Sequence, residues 1–151
     1  MPVQPNLFQL QNVGNVRNSG LEMEWRIRPI GDVQGSIGYS YLHRESVSDT
    51  AVPLLNTPGH KMFGYVSYTG IPRVRLVGSL NTESSRAVQD DAGALLSLAG
   101  YSTVSAKAAV TIYTGLDLEM SATNLLDQNY ELSSGFPEWG RVGFVQLRYR
   151  F

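Results

Sequence analysis

Two histidines and a pair of adjacent aspartates are the residues of this 151-residue chain that could support hydrolysis. A carboxylate pair such as Asp90-Asp91 near His60 could activate a water molecule as a general base. Adjacent aspartates in a loop are usually solvated, however, and no spacing brings them into register with His60. The other histidine, His43, stands beside charged residues at a strand end and is better interpreted as an interfacial side chain. The sequence therefore does not predict an enzyme.

Metal, thiol and phosphate chemistry have equally little support. The chain has no cysteine, which excludes disulfides, thiolate ligands and a thiol nucleophile. Two histidines without cysteines make a poor zinc site. The aspartates do not have the spacing of a calcium loop: Asp49, Asp90, Asp91 and Asp127. A glycine-rich phosphate loop and a serine-centred nucleophile elbow are absent from the sequence, and no cofactor is predicted.

Composition excludes further classes of protein. Twelve Lys and Arg against thirteen Asp and Glu give a net charge of −1, so the chain lacks the basic face that a nucleic-acid partner requires. Hydrophobic residues make up 42% of the chain, which argues against disorder. No apolar run approaches the roughly 18 residues of a transmembrane helix. Composition does not exclude a membrane β-barrel, because half of the residues in each of its strands face a polar lumen.

Alternation of apolar and polar residues dominates the chain. In segment 21–28 the residues Leu, Met, Trp and Ile alternate with Glu, Glu, Arg and Arg, as expected of a strand whose successive side chains point to opposite faces. The same pattern predicts strands at 33–41, 104–113, 116–123 and 145–151. Less regular segments rich in Tyr, Val and Leu predict two more at 60–69 and 73–84, and a weaker segment at 4–13 adds an eighth.

The polar faces of these strands collect nine charged residues. They could line a substrate path or form a lattice of cross-strand ion pairs, and for any single residue the lattice is the favoured interpretation. The nine residues are Glu22, Glu24, Arg26, Arg28, Lys107, Asp117, Glu119, Arg148 and Arg150.

Connections between the predicted strands are unequal in a regular way. Short turns at 29–32, 70–72 and 114–115 alternate with long loops at about 46–59, 86–99 and 125–140. Outer-membrane barrels are built this way, with short turns in the periplasm and long loops outside the cell. A soluble antiparallel barrel or sandwich shows the same alternation with its apolar face inside. The loop asymmetry, the aromatic residues at strand ends and the closely spaced opposite charges favour the membrane barrel.

Four motifs give the chain a resemblance to TonB-dependent outer-membrane receptors. In that family a strand runs into Asn-Leu-Phe/Leu-Asp-x-x-Tyr, a loop with proline and Gly-Arg follows, and the final strand ends on phenylalanine. The matching positions here are Asn124, Leu125, Asp127, Tyr130, Gly140, Arg141 and Phe151. Upstream, Asn12-Val13-Gly14 with 19–24, and the segment 56–61 (Asn-Thr-Pro-Gly-His-Lys), are similar to two more family patterns.

The resemblance implies an all-β fold of antiparallel, up-and-down transmembrane β-barrel strands. A complete receptor of this family closes about 22 strands around a plug. This chain holds about eight strands, no plug sequence, no TonB-contacting segment and no export signal, so we expect residues 1–151 to be a single segment, the C-terminal portion of a larger barrel. Eight strands could instead close as a small barrel.

The final strand carries a second implication of the resemblance. Outer-membrane barrels generally end in an alternating strand with a terminal aromatic residue, which the barrel-insertion machinery recognises. Here Val145, Leu147, Tyr149 and Phe151 share one face of that strand. They are also plain candidates for lipid contact, and both interpretations can hold together.

Three alternative functions follow. The first is a receptor component in the outer membrane of a Gram-negative bacterium, for TonB-dependent uptake of a scarce ligand such as a ferric siderophore or cobalamin. Its partners would be outer-membrane lipid, the insertion machinery, the rest of the receptor with its plug, and TonB through the plug. The second is a stand-alone eight-stranded outer-membrane barrel with a structural or adhesive role. A soluble β-barrel binder is the third and least favoured alternative.

Overall fold

The fold is taken from a computed structural model, which describes residues 15–47, 53–90 and 92–151. The weak strand predicted at 4–13, the motif Asn12-Val13-Gly14, and the candidates Asp49 and Asp91 lie outside the described residues. Among those described, no helix is long and apolar enough to cross a membrane.

The described chain is built from antiparallel strands. In chain order they are β1 Val16–Ile30, β2 Val33–Ser46, β3 His60–Tyr68, β4 Val74–Glu83, β5 Arg86–Gln89, β6 Leu95–Leu98, β7 Tyr101–Tyr113, β8 Leu116–Thr123, β9 Glu131–Ser133, β10 Phe136–Pro137 and β11 Val142–Tyr149. Seven of them form one sheet in the order β1-β2-β3-β4-β7-β8-β11. These seven are the strands that the alternation predicts within the described residues, and that prediction is confirmed.

The strand register keeps most of the apolar positions on one face. Trp25 lies opposite Ile37, and Leu118 lies opposite both Val110 on β7 and Leu147 on β11. A slip of one residue in any pair would turn a whole strand over, so the regular alternation is what fixes this register. Here the term polar wall means the opposite face, which carries the alternate residues from Glu22 on β1 to Arg148 on β11.

This sheet is a single layer without a core of its own. Val88 and Tyr101 are the only large hydrophobic side chains that are buried in the described part, and both lie at the loop end of the sheet. On the apolar face Trp25 is 53% exposed and Val145 is 75% exposed. A contiguous apolar surface of this extent needs an apolar neighbour, because its exposure to water is unfavourable.

Both edges of the sheet are open in the described residues. β1 and β11 each pair on one side only, and they do not pair with each other. The open sheet agrees with the first of the two predicted architectures, a portion of a larger barrel. An edge strand must find a partner inside a membrane, because its free backbone groups have no water to bind there.

Turns and loops separate to opposite ends of the sheet, as predicted. The turn end has the connections at 31–32, 69–73 and 114–115, and the loop end has those at 47–59, 84–100 and 124–141. Two of the loops contain small hairpins, β5–β6 and β9–β10, which the sequence did not predict. Strands of two to four residues are too short to show alternation.

Candidate ligand-facing loops and the polar wall

A nearly buried ion pair ties the second and third loops together at the loop end. Glu83, the last residue of β4, lies 3.0 Å from Arg86 Nη1 and 3.3 Å from Lys61 Nζ. The side chains of Arg86 and Glu83 are only 11% and 14% exposed. Arg86 Nη2 also donates to the carbonyl oxygen of Glu131, 3.2 Å away in the loop 124–141. One guanidinium therefore bridges a strand end and a loop distant in sequence.

Two tyrosines stack beside this ion pair. The rings of Tyr101, on β7, and Tyr130, in the loop 124–141, have centroids 4.2 Å apart. Tyr101 is buried, and the amide of Asn81 donates to its hydroxyl over 3.4 Å. Partial burial raises the pKa of Tyr130, and the negative charges of Glu138 and Glu83 raise it further. The stack holds the third loop against the top of the sheet.

Asn124 is the centre of a hydrogen-bond network that folds the third loop. Its Nδ2 donates to the carbonyl oxygens of Gln128 and Trp139, at 2.9 and 3.2 Å, and its Oδ1 accepts from Gln128 N at 2.9 Å. The residue is 4% exposed and has a φ of 49°. Asparagine adopts this left-handed backbone more readily than bulkier residues. Its amide therefore connects the start of the loop to its end.

Asp127 closes the same loop from the other side. Its Oδ1 accepts from Arg141 N at 2.7 Å, whereas the Arg141 guanidinium lies 3.9 Å from its Oδ2. A Cβ added to Gly140 would lie 2.6 Å from Asp127 Oδ1, so a larger residue there would require this carboxylate to shift. Leu125 extends the backbone hydrogen bonding between β8 and β7, because its N–H donates to Val104 O at 2.8 Å. The family-motif positions thus meet in one place, where their contacts fold the loop.

Arg44 fixes the described part of the first loop in a similar way. Its Nη1 donates to Thr57 Oγ1 at 2.7 Å, and its Nε donates to Asn18 Oδ1 at 3.2 Å. Asn56 N then donates to Ala87 O, 2.8 Å away on β5. The first loop is therefore joined to the second, as the second is to the third.

The residues that were considered for hydrolysis have structural partners instead. His60 Nδ1 lies 2.7 Å from Tyr39 Oη, and its ring centroid is 5.0 Å from that of Tyr41. All three are on the apolar face near the loop end, where aromatic girdles of membrane barrels lie. Asp90 Oδ1 accepts from the N–H groups of Ala92 and Ala94, closing the β5–β6 turn. The described contacts do not join these residues into a catalytic arrangement.

At the turn end, the polar wall carries cross-strand ion pairs. Glu119 contacts Lys107 Nζ at 2.6 Å and Arg148 Nη2 at 3.6 Å. Asp117 contacts Arg150 Nη2 at 2.9 Å and accepts from Thr111 Oγ1 at 2.7 Å. The ion-pair lattice expected from the sequence is therefore present for these five charged residues.

These pairs line a groove of about 540 Å³ in the polar wall. The turn 69–73 and the strands β4, β7, β8 and β11 contribute its walls, and Arg73 and Arg75 bring further positive charge. A second groove of similar volume lies closer to the loops and is lined by Glu22, Glu24, Lys61, Phe63 and Asn81, among others. Glu24 pairs with Arg26 on its own strand at 2.8 Å. Glu22 and Arg28 share this face, but the described ion pairs do not include them.

The final strand places its predicted residues on the apolar face. Val145, Leu147 and Tyr149 lie beside Met120, Leu118 and Leu116 of β8. Phe151 is fully exposed, and its ring lies 6.3 Å from that of Tyr149. This geometry suits lipid contact, and the recognition of the strand by the insertion machinery stays a prediction.

Sequence reasoning missed the contacts that unite the loops. Arg86, Glu83, Arg44 and Gln128 lie in or beside segments without alternation, and their partners are distant in the chain. Only the spacing of Glu83 and Arg86, three residues apart after a strand, hinted at a local ion pair. Arg75 was overlooked within the less regular strand 73–84, although it falls on a polar-wall position.

Comparison with known proteins identifies related folds. Residues 1–125 match the family model described as TonB dependent receptor-like, beta-barrel. A search of the curated proteins found no match.

Three solved structures illustrate the likeness. The ferric-catecholate import receptor Fiu of E. coli K12 aligns with a TM-score of 0.76 and 20% identity over 90% of this chain and 21% of its own. The siderophore receptor PiuA of Acinetobacter baumannii aligns with a TM-score of 0.75 and 17% identity over 91% of this chain and 22% of its own. The ferripyoverdine receptor of Pseudomonas aeruginosa aligns with a TM-score of 0.74 and 18% identity over 89% of this chain and 19% of its own. The chain thus spans about one fifth of the length of these structures.

Proposed function

This chain belongs to the TonB-dependent receptor β-barrel family, and from that premise we propose that it supplies barrel strands and extracellular loops to an outer-membrane receptor for a ferric siderophore. The observation that carries the proposal is the open seven-stranded sheet, with one apolar face and all its long loops at one end. The three solved structures described above are named as a siderophore receptor, a ferric-catecholate import receptor and a ferripyoverdine receptor, which supports a ferric siderophore over cobalamin. Energy would come from TonB through a plug contributed by the rest of the receptor.

The three loops are the proposed ligand-facing elements. They form one connected assembly, through Asn56 to Ala87 and through Arg86 to Glu131. A rigid assembly suits ligand binding, because less conformational freedom is lost when the ligand docks. The motif residues Asn124 and Asp127 would act by shaping the loop, and direct ligand contact is not their proposed role.

The first test is the intact mass of the native product, captured from outer membranes of the source organism with an antibody to residues 140–151. A mass several times 16.6 kDa is expected for a complete receptor. A mass near 16.6 kDa would instead favour the stand-alone barrel with a structural or adhesive role. Deletion of the gene should then abolish uptake of iron from one ferric siderophore, and deletion of the TonB gene should have the same effect. Unchanged uptake of every ferric siderophore tried would contradict the proposal.

The apolar face is proposed to contact outer-membrane lipid. Leu118→Arg should destabilise the receptor by roughly 2–4 kcal/mol if this position faces the middle of the bilayer. Ser105→Arg is the matched control, because Ser105 lies on the polar wall opposite Ser79. Equal effects of the two variants on urea unfolding in lipid vesicles would show that the faces are wrongly assigned.

Residues Val145, Leu147, Tyr149 and Phe151 are proposed to be recognised by the barrel-insertion machinery. Deletion of Phe151 should reduce the amount of folded receptor in the outer membrane, while purified protein should still fold into detergent. Normal assembly in cells would assign these residues to lipid contact alone.

A further inference from the structure

The outer surface of β1, β2 and β3 changes from apolar to charged towards the loop end. It continues the apolar face, and its successive levels are two residues apart on each strand. From the middle of the sheet outwards the levels carry Tyr39, then Tyr41 beside His60, then His43, and last Arg17 beside Glu45. These six residues are called the outer patch. The patch covers about 20 Å along β2, because a strand rises about 3.4 Å per residue.

A gradient of this kind matches one leaflet of a membrane. Acyl chains require apolar side chains, the interface favours tyrosine, and charged groups belong with the headgroups. Trp25 and Ile37 form the next level inward from the outer patch. Tyr39 and Tyr41 then fall at the interface, and Arg17 reaches the level of the headgroup phosphates. The long loops lie at this end of the sheet, so the leaflet concerned is the outer one.

His60 is held so that one ring nitrogen is left for a ligand. Its Nδ1 lies 2.7 Å from Tyr39 Oη, and its ring centroid lies 5.0 Å from that of Tyr41. Its backbone N–H donates to Ser84 Oγ at 3.1 Å, which fixes the start of β3. The described contacts give Nε2 no partner, and the residue is exposed. An imidazole oriented in this way can donate from Nε2 to a phosphate oxygen.

The two outermost levels add further donors. His43 is exposed, and the contacts among the described residues give its ring no partner. Arg17 Nη1 lies 3.9 Å from Glu45 Oε2, beyond hydrogen-bond distance, and the two side chains are 68% and 55% exposed. A phosphate can replace this loose contact, because arginine forms paired hydrogen bonds with phosphate oxygens.

The neighbouring strands carry a different chemistry at the same level. Thr82 on β4 and Ser102 on β7 continue the level of Tyr39, and their hydroxyl oxygens lie 3.0 Å apart. Each hydroxyl thus has a partner already. The outer patch is therefore local to the first three strands, whereas an aromatic girdle would continue across the sheet.

We propose that the outer patch binds the phosphorylated headgroup of a glycolipid in the outer leaflet. Arg17, His43 and His60 donate to phosphate oxygens. The rings of Tyr39 and Tyr41 lie against the headgroup sugar and the upper part of the acyl chains. The inference rests on the part of the proposed function that sets the apolar face against outer-membrane lipid, and it adds a defined headgroup chemistry at one place on that face.

Lipid binding by the complete receptor in detergent micelles tests this site. The probes are lipid A with both phosphates and lipid A from which the phosphates have been removed, and native mass spectrometry counts the bound lipid. We expect the receptor to bind the phosphorylated form about ten-fold more tightly, because charge-assisted hydrogen bonds to phosphate are strong. Equal binding of the two forms would overturn the inference.

Variants locate the preference on the outer patch. Arg17→Gln with His43→Gln and His60→Gln should remove it, and Arg17→Gln alone should reduce it by about three-fold. Arg141→Gln is the matched control and should leave it unchanged, because the Arg141 guanidinium is also exposed and also 3.9 Å from a carboxylate. Heat-modifiable migration on gels checks that each variant is folded. An unchanged preference in folded Arg17→Gln would overturn the inference even if the triple variant did not fold.

Inorganic phosphate distinguishes a lipid site from a site for free anions. Binding of lipid A should persist in millimolar phosphate, because the acyl chains contribute apolar contacts that the free anion lacks. Displacement of the lipid by phosphate alone would overturn the assignment to a glycolipid.

Failure of this inference and failure of the proposed function have different signatures. A receptor that shows the lipid preference but takes up iron from no ferric siderophore would overturn the proposed uptake alone. Uptake of iron together with equal binding of the two forms of lipid A would overturn this inference alone. Equal effects of Leu118→Arg and Ser105→Arg would overturn both the lipid contact of the apolar face and the headgroup site.

Discussion

The two ends of the sheet satisfy their charged and polar groups in opposite ways. At the loop end, Arg86 and Glu83 are nearly buried, and each bonds to groups from a second segment of the chain. At the turn end, Asp117 and Glu119 are bonded, but the cations around them are largely exposed. In the described residues, the loop-end ion pair is therefore shielded by the chain itself, whereas the turn-end cations face solvent. The two ends therefore differ in how far their described charged groups are shielded from solvent.

The largest expected effect at the loop end comes from Asn124→Ala. Three hydrogen bonds of a buried side chain are lost, and Gln128 N and two carbonyl groups lose their partner, so we expect a cost of about 3 kcal/mol to the folded loop. Faster amide hydrogen exchange over 124–141 would measure it. Asn129→Ala is the control, because Asn129 is exposed in the same loop. If both variants behaved alike, Asn124 would not be the residue that folds the loop.

At the turn end, the sharpest change is Gly115→Ala. Gly115 has a φ of +83°, and an added Cβ would collide with the carbonyl oxygen of Arg150, so a cost of about 2 kcal/mol is expected from strain. Gly31→Ala is the matched control, because Gly31 also has a positive φ but has open space around its Cβ position. Urea unfolding in detergent should show the larger loss for Gly115. The reverse order would mean that the β7–β8 turn tolerates rearrangement.

Arg86→Met tests whether the loops act as one assembly. The variant keeps the aliphatic length of the side chain and removes the bonds to Glu83 and to Glu131 O, which should cost about 1–2 kcal/mol. Hydrogen exchange should accelerate in 84–100 and also in 124–141. Arg141→Met is the control, because the Arg141 guanidinium is exposed and 3.9 Å from Asp127. Acceleration confined to 84–100 would show that the two loops are independent.

The smallest effect is expected from Glu119→Gln at the turn end. Its ion pairs with Lys107 and Arg148 are partly exposed and open to screening by salt. Stability should fall slightly at low ionic strength, and the difference from the unmodified protein should vanish near about 1 M salt. The Arg86→Met effect should persist at the same salt concentration because its ion pair is nearly buried. A salt-independent Glu119→Gln effect would remove the contrast between the two ends.

Most of the sheet was predictable from the sequence because the signal is local. Each pair of neighbours along a strand reports which face is apolar, so the seven described strands and the two classes of connection follow from the order of residues. The motif around Asn124 also marked the third loop in advance. The role of Asn124 in folding this loop could not be predicted, because it depends on a hydrogen bond to the carbonyl of Trp139, fifteen residues away.

The sequence by itself determined that this chain is an alternating, all-β protein with turns at one end and loops at the other, and it pointed to the receptor family. Only the tertiary structure decided which charges meet. The partners of Arg86, Arg44 and Glu119 lie on other strands or loops, and register and loop path bring them within 4 Å. The same register left Arg73 and Arg75 in a groove of excess positive charge. Periodicity along a strand fixes the face of a residue, whereas its neighbours across the sheet depend on how the strands are paired.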